Sequence, residues 1–100
     1  RPACILIAED DYNTRRLLSE MLRSEGHTVA LATDGYEASI VIEDRHIDLL
    51  VTDLRMPRRD GAEVVRRAKK THPNLPVIVV SAFGSDLSAE TLALIDVILE

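Results

Sequence analysis

The sequence predicts one α/β domain built on a parallel sheet with helices on both faces. Three observations carry this. Short apolar runs alternate with amphipathic segments along all 100 residues, the pattern of strand–helix–strand units. The runs are nearly unbroken in apolar character, as strands buried on both faces are. The connections are short, which favours right-handed crossovers, and no linker, repeat or low-complexity stretch interrupts them.

The elements follow in order. Cys4–Ala8 is a short buried strand. A helix runs from about Tyr12 to Glu25, with Leu17, Leu18, Met21 and Leu22 as its apolar stripe. Asp11 or Asn13 could cap its start, and Gly26 ends it. Thr28–Ala32 is the second strand. Asp34-Gly35 opens a second helix that turns Ala38, Val41 and Ile42 inward, and Ile47–Thr52 is the third strand. Asp60 and Glu63 have the spacing of an N-terminal capping box before a helix with Val64, Val65 and Ala68 on its inner face. Pro73 follows its end. Pro76–Ser81 is the fourth strand, the most β-branched run of the chain. Leu87–Ile95 is a weaker helix, and Asp96–Leu99 a fifth strand.

Composition narrows the function classes. Hydrophobic residues make up 46% of the chain, enough for a core and too many for a disordered segment. The one cysteine, Cys4, excludes an internal disulfide and reads as an inert buried thiol. No apolar run reaches membrane-span length, so a soluble, cytoplasmic domain is expected. Net charge is −5 with few aromatics, a poor profile for binding nucleic acid. The basic residues Arg66, Arg67, Lys69 and Lys70 are expected to form a solvated helix face, with partner docking as the sharper alternative. His27, His46 and His72 lack metal-ligand spacing and are expected to face solvent. No Gly-rich nucleotide loop is present.

The chemistry concentrates at two strand ends. Cys4–Ala8 runs into Glu9, Asp10 and Asp11, and Leu49–Val51 leads through Thr52 into Asp53. In the flavodoxin-like strand order 2-1-3-4-5, strands one and three are neighbours, and their carboxyl ends flank the point where ligands bind open α/β sheets. Carboxylates gathered there repel one another unless compensated, and a hard divalent cation such as Mg²⁺ takes oxygen ligands. Asp53 is the candidate nucleophile, since an Asp carboxylate can form an aspartyl phosphate. A cation held by Asp10 and Asp53 would offset repulsion of an incoming phosphoryl group. The blander alternatives are a loop acid or helix cap for Asp53, a helix cap for Asp11, and a chain-turning serine for Ser81. Ser81 could otherwise donate to a phosphoryl oxygen at Asp53.

Five segments taken together are more specific than any one. Ile5-Leu6-Ile7-Ala8-Glu9-Asp10-Asp11, Asp34-Gly35-Tyr36-Glu37-Ala38, Asp53-Leu54-Arg55-Met56-Pro57, Asp60-Gly61 and Ser81-Ala82 resemble the receiver domain of two-component response regulators. The resemblance implies that Asp53 is the phosphoacceptor, that Asp10 holds Mg²⁺ directly and Glu9 through water, and that the backbone carbonyl of Arg55 is a further metal ligand. It implies Ser81 as the hydroxyl that moves toward the phosphoryl group. It implies a histidine kinase or phosphotransfer protein as donor, an output domain beyond the chain, and no turnover other than the domain's own phosphorylation and dephosphorylation. Arg55 and Phe83, each two residues after a site residue, are expected to overhang the site and set the phosphoryl lifetime.

The departures lie at one end. The family's lysine after the fifth strand would fall about where the chain stops at Glu100, Ile98 stands near the place of its strand-five aromatic, and the fifth helix is missing. Every acid up to that point is kept, so residues 1–100 read as a C-terminally incomplete receiver domain, expected to self-associate or to be marginally stable. Two rivals stand beside it. One is a receiver-like docking module that is not phosphorylated. The other is a phosphatase of the haloacid dehalogenase type, disfavoured because Arg55 stands where those enzymes have a second Asp.

Overall fold

A computed structural model describes residues 3–53, 61–80 and 96–99, with the backbone alone for 97–99. The elements are β1 (Cys4–Ala8), α1 (Tyr12–Ser24), β2 (Thr28–Ala32), α2 (Gly35–Asp44), β3 (Leu49–Thr52), α3 (Gly61–Thr71), β4 (Val77–Val80) and β5 (Val97–Leu99). All neighbouring strands pair in parallel, in the order β2-β1-β3-β4-β5. This is the flavodoxin-like, doubly wound order expected from the chain. The Leu87–Ile95 helix and Asp60, half of the expected capping box, lie outside the described residues.

Side chains alternate across the sheet with the two-residue period of a strand. Leu6, Ala8, Leu50, Val77 and Val79 face one way and pack with Ala38 and Ile42 of α2 and with Val64, Val65 and Ala68 of α3. Ile5, Ile7 and Val51 face the other way, against Leu18 and Leu22 of α1. Both expected inner faces, on α2 and α3, are found. The four-residue stripe of α1 is not: Leu17 and Met21 are 59% and 55% exposed. A helix lying on a sheet turns only a narrow stripe toward it, and these two side chains sit on the flank.

Local chemistry fixes the element ends. The Asp11 carboxylate accepts from the Thr14 amide at 2.8 Å and the Thr14 hydroxyl at 2.7 Å, so Asp11, and not Asn13, caps α1. Glu25 forms the C-terminal cap, and Gly26 follows at φ 92°, a conformation in which a side chain is strained although the space beside it is open. Asp34 accepts from the Glu37 amide at 2.8 Å, and Glu37 reaches back to the Thr33 amide at 2.6 Å. This reciprocal pair closely follows a capping box, and the sequence reading placed one only at Asp60 and Glu63. Within α3, Glu63 pairs with Arg66 at 2.9 Å.

Several expectations shift by a residue or two. Strand β3 begins at Leu49, because Asp48 is occupied with Cys4: the Asp48 amide donates to the Cys4 carbonyl, and its carboxylate accepts from the Cys4 amide, both at 2.8 Å. Strand β4 starts after Pro76, which has no amide to give, although its carbonyl accepts from Leu50 at 3.1 Å. Cys4 is half-buried and free. His46 is exposed and pairs with Asp48, but His27 and His72 are half-buried and bonded to the Ala3 amide and the Ile42 carbonyl. The basic residues of α3 are not simply a solvated face. Arg67 bridges to Glu43 of α2 at 2.9 Å, and Lys69, its side chain 15% exposed, meets Asp96 at 3.3 Å. Asp96 also accepts from the Val77 amide at 2.7 Å, which ties the entry of β5 to α3 and β4.

Ser19 is 3% exposed, and its hydroxyl has no hydrogen-bond partner among the described residues. A buried, unpaired hydroxyl is a liability, and alanine is the better helix former. Ser19→Ala is therefore expected to stabilise the domain by about 1 kcal/mol. Urea unfolding of the two proteins measures it, and a destabilised variant would show that the hydroxyl has a partner after all.

Candidate metal centre

The sheet register builds the site. Ala8 pairs with Ala32 on one side and with Thr52 on the other. The ladder extends one step past the strand ends: the Glu9 amide donates to the Ala32 carbonyl at 3.0 Å and the Asp53 amide to the Ala8 carbonyl at 2.9 Å. Residues 9 and 53 are therefore held side by side at the carboxyl edge. One carboxylate oxygen from each of Glu9, Asp10 and Asp53 lies within 4.8 Å of the others.

The three acids differ in setting. Glu9 is only 5% exposed, Asp53 is half-buried and Asp10 is open to solvent. Burial, first of all, pushes the Glu9 carboxyl up to about 7, and the nearby Asp53 charge adds to this, while the Asp11 amide, donating to Glu9 Oε2 at 3.1 Å, works the other way. Asp11 is exposed and held below the usual carboxylate range by its bonds to Thr14. It serves the helix, as the capping alternative had it.

Among the described residues the donor set is three carboxylates with no nitrogen or sulfur, which suits a hard cation such as Mg²⁺. Of the site residues read from sequence, the fold brings Glu9, Asp10 and Asp53 together. Arg55, Ser81 and Phe83 lie outside the described residues. One neighbour was missed. Arg15 sends Nη1 back to the carbonyl oxygens of Glu9 at 2.9 Å and Asp10 at 3.3 Å, with its guanidinium 5.6 Å from the centre of the Tyr12 ring. Its signal was a cation near a helix N-terminus, where positive charge is electrostatically out of place.

The Glu9 shift has a sign. Its pKa is higher folded than unfolded, so between about 4.5 and about 7 the folded protein holds more protons, and stability falls as pH rises through that window. In metal-free buffer, Glu9→Gln is expected to gain stability over the parent as pH rises, on the order of 2 to 3 kcal/mol by pH 8. Paired urea titrations from pH 4.5 to 8 with a chelator present check this. Parallel curves would mean that Glu9 ionises freely in the fold.

The chain thus joins a parallel sheet of order β2-β1-β3-β4-β5 to an acidic trio at the ends of its first and third strands. Residues 5–97 match the family pattern of the response regulator receiver domain, and the chain belongs to that family. It is 38% identical over 85 residues to the transcriptional regulatory protein GlrR of Escherichia coli (strain K12), covering 85% of this chain and 19% of that protein. It is 40% identical over 84 residues to the response regulator MprA of Mycobacterium sp. (strain KMS), covering 84% of this chain and 36% of that protein. The chain thus spans roughly a fifth to a third of the length of these relatives. Among solved structures, the response regulator TrrA of Thermotoga maritima, in complex with Mg²⁺-BeF, superimposes with a TM-score of 0.88 at 29% identity, over 97% of this chain and 84% of that one. The receiver domain of a sensor histidine kinase from Pseudomonas aeruginosa PAO1, with a magnesium ion in its active-site cleft, gives 0.86 at 27% identity, over 99% and 84%.

Proposed function

We propose that this domain is a phosphoacceptor switch of a two-component system, in which Asp53 takes a phosphoryl group from the phosphohistidine of a histidine kinase or phosphotransfer protein with Mg²⁺ bound. The observation that carries the reading is the convergence of Glu9, Asp10 and Asp53 at one strand edge. Metal-bearing receiver structures of the same fold support the choice of cation. Bound Mg²⁺ would neutralise charge on the transferring phosphoryl group. Asp10, open to solvent, would hold it directly together with Asp53, and Glu9, with one oxygen already accepting from the Asp11 amide, would act through water. In the transfer, an Asp53 carboxylate oxygen forms a bond to phosphorus as the phosphorus–nitrogen bond of the phosphohistidine breaks, and the imidazole keeps the electron pair. The backbone carbonyl of Arg55 as a further ligand, and the Ser81 hydroxyl as the group that senses the new charge, complete the proposed site. The added charge of roughly −1.5 to −2 would bias an output domain elsewhere in the full protein.

Incubation with a small phosphodonor and Mg²⁺, followed by intact-mass analysis, tests the reading. One added phosphate is expected, absent when Mg²⁺ is chelated. Asp10→Ala is expected to weaken Mg²⁺ binding at least tenfold and Asp11→Ala to leave it nearly unchanged. Mg²⁺ binding without any phosphate uptake would favour an unphosphorylated docking module, and equal effects of the two alanine variants would mean that the wrong acid has been assigned to the ion.

A further inference from the structure

We propose that Arg15 is a positioning residue for the metal site, holding the Glu9–Asp10 backbone so that two of the three carboxylates stay turned toward Asp53. The inference rests on the reading of Glu9, Asp10 and Asp53 as a Mg²⁺ site, and it concerns a residue outside that set.

The strand ladder ends at the Glu9 amide, and the helix cap begins at Asp11. Between these anchors lie the peptides that aim Glu9 and Asp10. Three carboxylates converging within 4.8 Å push one another apart, so something must hold the intervening backbone. Arg15 is placed to do so. It is half-buried, lies about one helical turn past the cap, and donates through Nη1 to two consecutive carbonyls, the Glu9 bond at 2.9 Å being the shorter and the Asp10 bond at 3.3 Å the longer. The Tyr12 ring flanks the guanidinium and limits its freedom. These bonds go to backbone oxygens and so leave carboxylate oxygens for the ion. Groups behind metal ligands that orient them in this way commonly govern affinity by 10- to 100-fold.

A second physical role for the same guanidinium predicts the opposite sign. If Arg15 were only a positive charge near an acidic site, it would compete with Mg²⁺, and removing it would tighten binding. Positioning predicts that removal loosens binding. Arg16 supplies the control, since it is the next residue on the same helix, is exposed, and pairs with Glu20 at 2.9 Å.

The test is calorimetric titration of the protein with MgCl₂, for the parent, Arg15→Met, Arg16→Met and Arg15→Lys, with amide NMR spectra establishing that each is folded. Arg15→Met is expected to raise the dissociation constant about tenfold or more over Arg16→Met, and Arg15→Lys, which can still donate to one carbonyl, to recover part of the loss. Tighter binding by Arg15→Met, or equal constants for the two Met variants while the parent binds, overturns the positioning role alone. No Mg²⁺ binding by the folded parent overturns the proposed function, and this role falls with it.

Discussion

Asp53→Asn is expected to abolish phosphoryl uptake and, in metal-free buffer, to make the protein more stable. The two effects have one origin. The carboxylate is the proposed nucleophile, and the neutral amide that replaces it cannot form the acyl phosphate. The same carboxylate is one of three negative groups within 4.8 Å, and its charge helps to raise the Glu9 pKa. Deleting it relieves repulsion worth on the order of 1 to 2 kcal/mol for partly screened charges, and Glu9 should ionise closer to its ordinary range. Mg²⁺ affinity should fall at the same time, because a proposed ligand is lost. Intact-mass analysis and chelator-present urea melts read the two outcomes separately. Phosphate persisting on the Asn variant would move the phosphoacceptor elsewhere, and a less stable Asn variant would mean that Asp53 makes contacts that outweigh its charge.

Leu50→Ala is expected to destabilise the fold severely. Leu50 is fully buried in β3, pairs in register with Leu6 on one side and Val77 on the other, and belongs to the core shared with α2 and α3. A leucine truncated at such a position costs about 2 to 5 kcal/mol in lost transfer energy and residual cavity. A domain of this size has roughly 5 to 15 kcal/mol in total, so a large part of its margin would go. Met21→Ala, 55% exposed on α1, is the matched comparison, expected to change stability by about 0.5 kcal/mol or less. Urea midpoints of the two variants against the parent decide it, and similar losses for both would mean that the flank of α1 is more important than its exposure indicates.

The parts legible in the sequence were those written as periodicity or as chain punctuation. Strand ends at Glu9 and Asp53 followed from apolar runs stopping at acids, and the inner faces of α2 and α3 from spacing. For Arg15 the chain shows a cation misplaced near a helix N-terminus, but not its partners, because the carbonyls of Glu9 and Asp10 that it bonds leave no trace in composition. The exposure of Leu17 and Met21 was missed because helical period gives the direction of a stripe but not the width of the surface beneath it. His27, His72 and Lys69 looked like surface residues, since nothing local shows that a carbonyl, an amide or a carboxylate from another element will meet them. The Asp34 and Glu37 pair could have been read, because its spacing was as plain as that of Asp60 and Glu63.

The register that sets Glu9 beside Asp53 joins residues far apart along the chain, so the proposed cation site has no counterpart in the unfolded polypeptide. Whatever free energy Mg²⁺ gains there is added to folding itself. At ten times its dissociation constant, a ligand bound only by the native state contributes about 1.4 kcal/mol. The Mg²⁺ content of the surrounding medium would then set the folded fraction of the protein as well as the phosphoryl uptake proposed for Asp53.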